Sequence, residues 1–182
     1  MTTKVLQHPA QRQLVLFLLR ALGIYLGWFI LYNFWLKPEG TLDQLLTRSL
    51  AEVSTYLLRF AGLTVSFTHL LQLTSLQAEG ASGNQAILDI AHFCNGQVLL
   101  ALFTGFVLSV PGKVAQKAWF IPAGMAGIFG LNVFRVCCLM VIQVYAPEWL
   151  DFNHKYTFTI LVYAGIFSLW MIWVKYFLPR KI

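Results

Sequence analysis

The chain has 182 residues, of which 58% are hydrophobic and only 11% charged, with a mean hydropathy of +0.68. A water-soluble domain of this size has too little interior to hide so much apolar side chain, so the bilayer is the expected solvent. The net charge of +6 would suggest nucleic acid in a soluble protein, but the basic residues flank apolar runs in short clusters instead of forming one stripe, as topology signals do.

Lys4 and Arg12 precede an apolar run, as in a signal peptide, but the run is too long and no small-residue cleavage site follows it. Residues 14–36 are therefore expected to remain as a first membrane helix, since ~20 apolar residues cross about 30 Å of hydrocarbon. Arg20 can snorkel to the near face.

Residues 37–93 form the one long polar piece, expected as an extracytoplasmic insert. Thr41 and Gln44 have capping-box spacing. Leu42, Leu45, Leu46, Val53, Tyr56, Leu57 and Phe60 then recur at helical spacing, which predicts an amphipathic helix lying in the membrane interface. Residues 63–68 and 71–74 alternate with a period of two, and a Gly/Ser/Asn-rich turn over 77–85 precedes 86–90, so short strands are expected.

Three more spans are expected over 94–110, 119–145 and 156–178, giving an all-α bundle of about four transmembrane helices in a single membrane domain. With a cytoplasmic N-terminus, Lys4, Arg12, Lys113, Lys117, Arg180 and Lys181 all fall inside, while every Asp and Glu falls outside. That places the protein in the cytoplasmic (inner) membrane with the insert outside.

Arg135 lies within an apolar helix with no other charge near it in sequence, so it needs a partner or a substrate. At 1.5 Å per residue the second span descends ~26 Å from Cys94, and the third climbs ~24 Å from Trp119 to Arg135. Arg135 thus returns to the level of Cys94, and a short loop, 146–153, brings His154 there at the head of the last span. A cysteine in the first turn of a helix is favoured as thiolate. A histidine can carry protons between thiol and leaving amine, and an arginine can hold an oxyanion or an ion pair. Singly, each residue has a plainer explanation: an inert thiol, an interfacial loop residue, a structural ion pair. Their common depth favours chemistry.

His92-Phe93-Cys94-Asn95-Gly96 at a helix head, Asn132-Val133-Phe134-Arg135 within a later helix, and His154 at the start of the last resemble the exosortase/archaeosortase membrane cysteine transpeptidases. The resemblance covers residues 88–182. It implies Cys94 as nucleophile, Arg135 as the residue stabilising transition state or thiolate, and His154 as the proton-transfer residue. It also implies substrate proteins that end in a short motif, a transmembrane helix and a basic tail, cleaved at the outer membrane face. Family members commonly carry Ser or a small residue where Asn95 stands, and many have more membrane helices.

Asn132, one turn before Arg135, can orient it, and Asn95 adjoins the thiol; both are supporting candidates. His92 would point away from Cys94 on a helix. Gly124, Gly127 and Gly130 read as a packing face. Cys137 and Cys138 read as packing residues, His69 as a loop or strand residue, and Asp89 as a solvated carboxylate that could instead pair with Arg59 or Arg135. Trp119, Trp149, Trp170 and Trp173 fit interfacial anchoring or packing. No zinc-ligand pattern surrounds the three cysteines, and neither metal nor cofactor is expected. Two other functions stay open: a thiol-redox membrane protein working through Cys137 and Cys138, and a non-catalytic assembly subunit in which Arg135 pairs with a partner's carboxylate.

Overall fold

A computed structural model describes residues 9–70, 73–79, 83, 85–90 and 95–178. These are mostly helical. The first helix, α1 (Pro9–Leu31), ends in a π turn (Tyr32–Leu36) and a short turn (Lys37–Glu39). Helix α2 (Thr41–Phe60) follows, then strands β1 (Val65–Leu70), β2 (Leu73–Glu79) and β3 (Gln85–Ile90), and helices α3 (Gln97–Ser109) and α4 (Val114–Tyr145). After Ala146 come a 3-10 turn (Pro147–Trp149), one α turn (Leu150–Phe152), a second π turn (Asn153–Thr157) and α5 (Phe158–Phe177).

Three stretches are long and apolar enough to cross a membrane: Leu14–Glu39, Val114–Tyr145 and Pro147–Phe177. They mark the chain as a membrane protein. Helix α3 is apolar but has only 13 residues, about 20 Å of rise, so the expected second span over 94–110 is shorter than one hydrocarbon thickness. It starts at Gln97, later than expected, and the third helix starts earlier, at Val114 instead of 119. The expected loop over 146–153 is nearly all helical, because Pro147 sits in the first turn of the 3-10 segment, where its missing N–H costs nothing, and helix continues from there into α5.

Helix α4 has 32 residues, about 48 Å, and serves two separate cores. Its first half packs Phe120 and Ile128 with Phe103 and Val107 of α3 and Val162, Ile166 and Trp173 of α5. Its second half packs Val133, Val136, Leu139, Met140 and Val144 with Leu50, Ala51 and Leu58 of α2 and Val65, Leu76, Leu88 and Ile90 of the sheet. The α2-and-sheet cap thus sits on one end of the helices. At the other end Lys117 donates to the Leu108 and Val110 carbonyls (2.9 and 2.7 Å), neutralising the C-terminal end of α3.

The antiparallel sheet has the order β1-β2-β3, with Val65 opposite Ala78 and Thr74 opposite Ile90. Alternation in β3 is regular: Ala86, Leu88 and Ile90 are buried, while Gln85, Ile87 and Asp89 are exposed. Strand β2 runs through Glu79, so 77–79, expected as turn, is strand paired to β3.

Helix α2 forms where its periodicity predicts, and most of its apolar row faces away from the core. Thr47, Leu50, Ala51, Ser54, Thr55 and Leu58 are buried, whereas Leu45, Tyr56 and Phe60 of the apolar row are exposed. The inward face mixes Leu50 and Leu58 with the small side chains Ala51, Ser54 and Thr55, and the bulky apolar residues of the outer row stay exposed. The Thr41/Gln44 box does not start the helix: the cap is Gly40, at φ +64°, without a side-chain cap bond.

Candidate functional site

Arg135 is half-buried on α4, and its Nη2 lies 2.9 Å from Nε2 of exposed His154. Nineteen residues separate them in sequence. Arginine has only donors, so in this bond Nε2 accepts and the imidazole is unprotonated there. His154 reaches α4 from the π turn, where the Phe158 N–H bonds the Asn153 carbonyl. One extra residue in that turn re-aims the side chain relative to α5, as π turns at functional positions do. The turn is braced on both sides: Asn153 Nδ2 donates to the Trp149 carbonyl (2.9 Å), and Thr159 Oγ1 donates to the His154 carbonyl (3.2 Å).

Cys94 and His92 lie outside the described residues; Asn95 is the nearest described neighbour of Cys94. Helix α3 begins at Gln97, with Gly96 as its N-cap residue. Asn95 is 2% exposed. Its Oδ1 accepts from the Gln97 N–H (3.0 Å), closing one of the open donors at the head of α3. Its Nδ2 donates to Asp43 Oδ1 (3.0 Å) and Thr47 Oγ1 (3.4 Å) on α2. Asp43 Oδ2 in turn accepts from the Tyr32 hydroxyl at 3.2 Å.

Gly96 adopts φ +84°, and a Cβ at that position would overlap the amide of Asn132. The head of α3 therefore rests directly on α4, one turn before Arg135. Asn132 is 1% exposed, and its Oδ1, like the Gln97 Nε2, has no hydrogen-bond partner among the described residues. It sits between the two cores of α4, after Ile128 of one and before Val133 of the other.

The other singled-out residues divide plainly. His69 lies in β1, with Nδ1 2.7 Å from Thr74 Oγ1. Asp89 accepts from Ser75 Oγ (2.7 Å), while Arg59 donates to the Val65 carbonyl (2.6 Å), so these two do not pair. Cys137 and Cys138 are free, half-buried thiols on α4; the Cys137 Sγ lies 3.8 Å from the Ser54 carbonyl, a packing contact with α2. Of the glycine row only Gly124 packs closely, against Phe103; Gly127 and Gly130 face open space. Trp173 is fully buried and Trp170 stacks on Phe106 at 4.7 Å, whereas Trp119 and Trp149 are exposed. No cluster of metal-ligating side chains occurs among the described residues.

Sequence reasoning did not reach two features. Asp43, Thr47 and Tyr32 contact Asn95 or each other across 11 to 52 residues, and the sole local signal is an acidic residue in the first turn of α2. The second is an open apolar groove of about 760 Å³ between α2 and α4. Phe134, next to Arg135, and Phe158, one turn past His154, both line it. No family model, curated protein or solved structure matches the chain.

Proposed function

We propose that the chain is a membrane-embedded thiol peptidase or transpeptidase of exosortase type, a bundle of four membrane helices with its active site on the extracytoplasmic side of the inner membrane. The observation that carries this reading is the Arg135–His154 bond at 2.9 Å, one helical turn from the Asn132 amide against which Gly96 packs, two residues past Cys94. That contact supports the expectation that the three residue types suited to acyl transfer share one level of the bundle.

In the proposed reaction the Cys94 thiolate attacks the scissile carbonyl carbon, and the Arg135 guanidinium stabilises the oxyanion that forms. His154, its Nε2 released from Arg135, takes the thiol proton and passes it to the departing amine. An imidazolium beside a guanidinium is electrostatically costly, which speeds that second transfer. The resulting thioester is resolved by water or by another nucleophile. Substrates would be proteins whose C-terminus carries a short motif, an apolar helix and a basic tail. The groove between α2 and α4 is apolar and is lined by Phe134 and Phe158, sequence neighbours of Arg135 and His154, which suits it to a few apolar side chains of such a helix. The basic residues Lys113 and Lys117 at the end of the bundle away from the cap support a cytoplasmic placement of that end.

The test is co-expression with a membrane substrate bearing such a C-terminus, followed by its size. Cys94→Ala should leave the substrate full-length, and Arg135→Ala should lower the processing rate about 10²- to 10³-fold, the range for losing one oxyanion-stabilising donor. Normal processing by Cys94→Ala would end the reading.

A further inference from the structure

We infer that Asp43 is a positioning residue for the segment that carries Cys94, acting through Asn95; this rests on the thiol-peptidase reading above. Nothing in the resemblance points to α2. The placement comes from the bonds of one buried side chain.

Asn95 is joined to Cys94 by a peptide bond, so its Cα lies about 3.8 Å from that of the thiol-bearing residue. Its side-chain amide is used in both directions. The carbonyl oxygen receives the Gln97 N–H, and the amide nitrogen is held by Asp43 Oδ1 and Thr47 Oγ1. The Thr47 hydroxyl spends its own hydrogen on the Asp43 backbone carbonyl at 2.7 Å, leaving a lone pair toward Asn95. Asp43 Oδ2 is occupied by the Tyr32 hydroxyl. The π turn after α1, the first turns of α2, and the head of α3 are thus tied at one carboxylate.

Asp43 is half-buried and makes no ion pair among the described residues, where Arg48–Glu52 is the one salt bridge. A carboxylate that pairs with no cation yet receives two neutral donors is explained by what it accepts. An ionised carboxylate is acceptor-only at both oxygens, and its bonds are stronger than those of a neutral acceptor. It grips Asn95 on one side while Tyr32 fixes its own rotation from the other. Asn95 at this position is long enough to reach α2. A displacement near 1 Å at a reacting atom can cost about 10²-fold in rate, so the orientation of this segment is worth fixing.

The experiment uses the full chain in detergent with the substrate described above. Asp43→Ala and Asn95→Ala should each lower kcat by about 10- to 100-fold and leave KM within about twofold. The double variant should be no worse than either single one, because both break the same connection. Asp43→Asn should recover to within about threefold, since its amide oxygen can accept from Asn95 while its nitrogen donates to the Tyr32 oxygen. Tyr32→Phe, which leaves the Asn95 bond in place, should be the mildest and serves if Asp43→Ala does not fold. In parallel, alkylation of Cys94 is timed by intact-protein mass spectrometry in a Cys137→Ser/Cys138→Ser background. There Asp43→Ala should slow the reaction about tenfold and Asp43→Asn should restore it. Unchanged alkylation in Asp43→Ala, an Asp43→Asn as impaired as Asp43→Ala, or additive losses would overturn the positioning role. The alkylation arm needs no substrate, so it judges Asp43 even if Cys94→Ala leaves processing intact.

Discussion

The two cores that share α4 are built from different side chains. The core within the helices is aromatic: Phe120 lies 5.1 Å from Trp173 and 5.4 Å from Phe177, ring centre to ring centre, and Phe103 inserts where Gly124 leaves room. The core under the cap is aliphatic, with Leu50, Leu76 and Met140 fully buried and no Phe or Trp among its fully enclosed members but Phe158 at its edge. Lipid tails are as apolar as leucine, so helices there gain little from hiding methyl groups and hold by interlocking shape, large rings against small residues. The cap core instead gathers the aliphatic side chains of α2 and the sheet, and burying plain aliphatic area is its main source of stability. Asn132, a buried polar residue of α4, sits where one regime gives way to the other, and Arg135 follows one turn later.

That contrast can be broken in order of expected effect. Trp173→Ala removes the ring at the centre of the aromatic core and should destabilise the helices by about 3–5 kcal/mol, read as a lowered unfolding midpoint in detergent. The cap should keep its resistance to limited proteolysis. Leu76→Ala should do the reverse, costing about 2–5 kcal/mol, opening cleavage sites within 63–90 and leaving the helical signal intact. If either variant loosens both regions equally, the two cores are one cooperative unit.

Gly96→Ala acts at the junction, where a non-glycine residue at φ +84° costs about 1–3 kcal/mol and the added methyl meets Asn132. Pairing it with Asn132→Ala should recover the steric part and not the backbone part, so an unfolding midpoint between wild type and Gly96→Ala is expected. The smallest effect belongs to the exposed side of the cap. Glu52→Ala deletes the partner of Arg48 in an exposed i,i+4 pair and should shift stability by no more than about 0.5 kcal/mol.

What the amino-acid sequence discloses follows the range of each interaction. The apolar runs of α1, α4 and α5 were legible because a membrane helix is coded by every residue in it. The strands were legible in part: the alternation of Val65, Phe67 and His69 against Ser66 and Thr68 marks β1, whereas the polar stretch after Leu76 hid the end of β2. Helix α2 was legible as a helix, but its buried side was not, because an apolar stripe points to the interior only when the solvent is water. The helical character of 147–153 was masked by Pro147, which stops one helix and starts the next equally well. At the site, Arg135 drew notice as a charge in an apolar run and His154 by its place at a helix head. Asp43 did not, since a bond reaching 52 residues to Asn95 leaves no trace in local pattern.

The π turn at Asn153–Thr157 has a consequence for how this chain can tolerate insertions and deletions. Such a turn is an α-helix carrying one surplus residue. Removing a single residue from it would regularise the helix and preserve its length to within about 1.5 Å, yet would swing everything before it, His154 included, by about 100° about the α5 axis. A lesion that most surface helices would absorb in their first turn would here separate His154 from Arg135 and draw Leu150 away from the edge of the cap core.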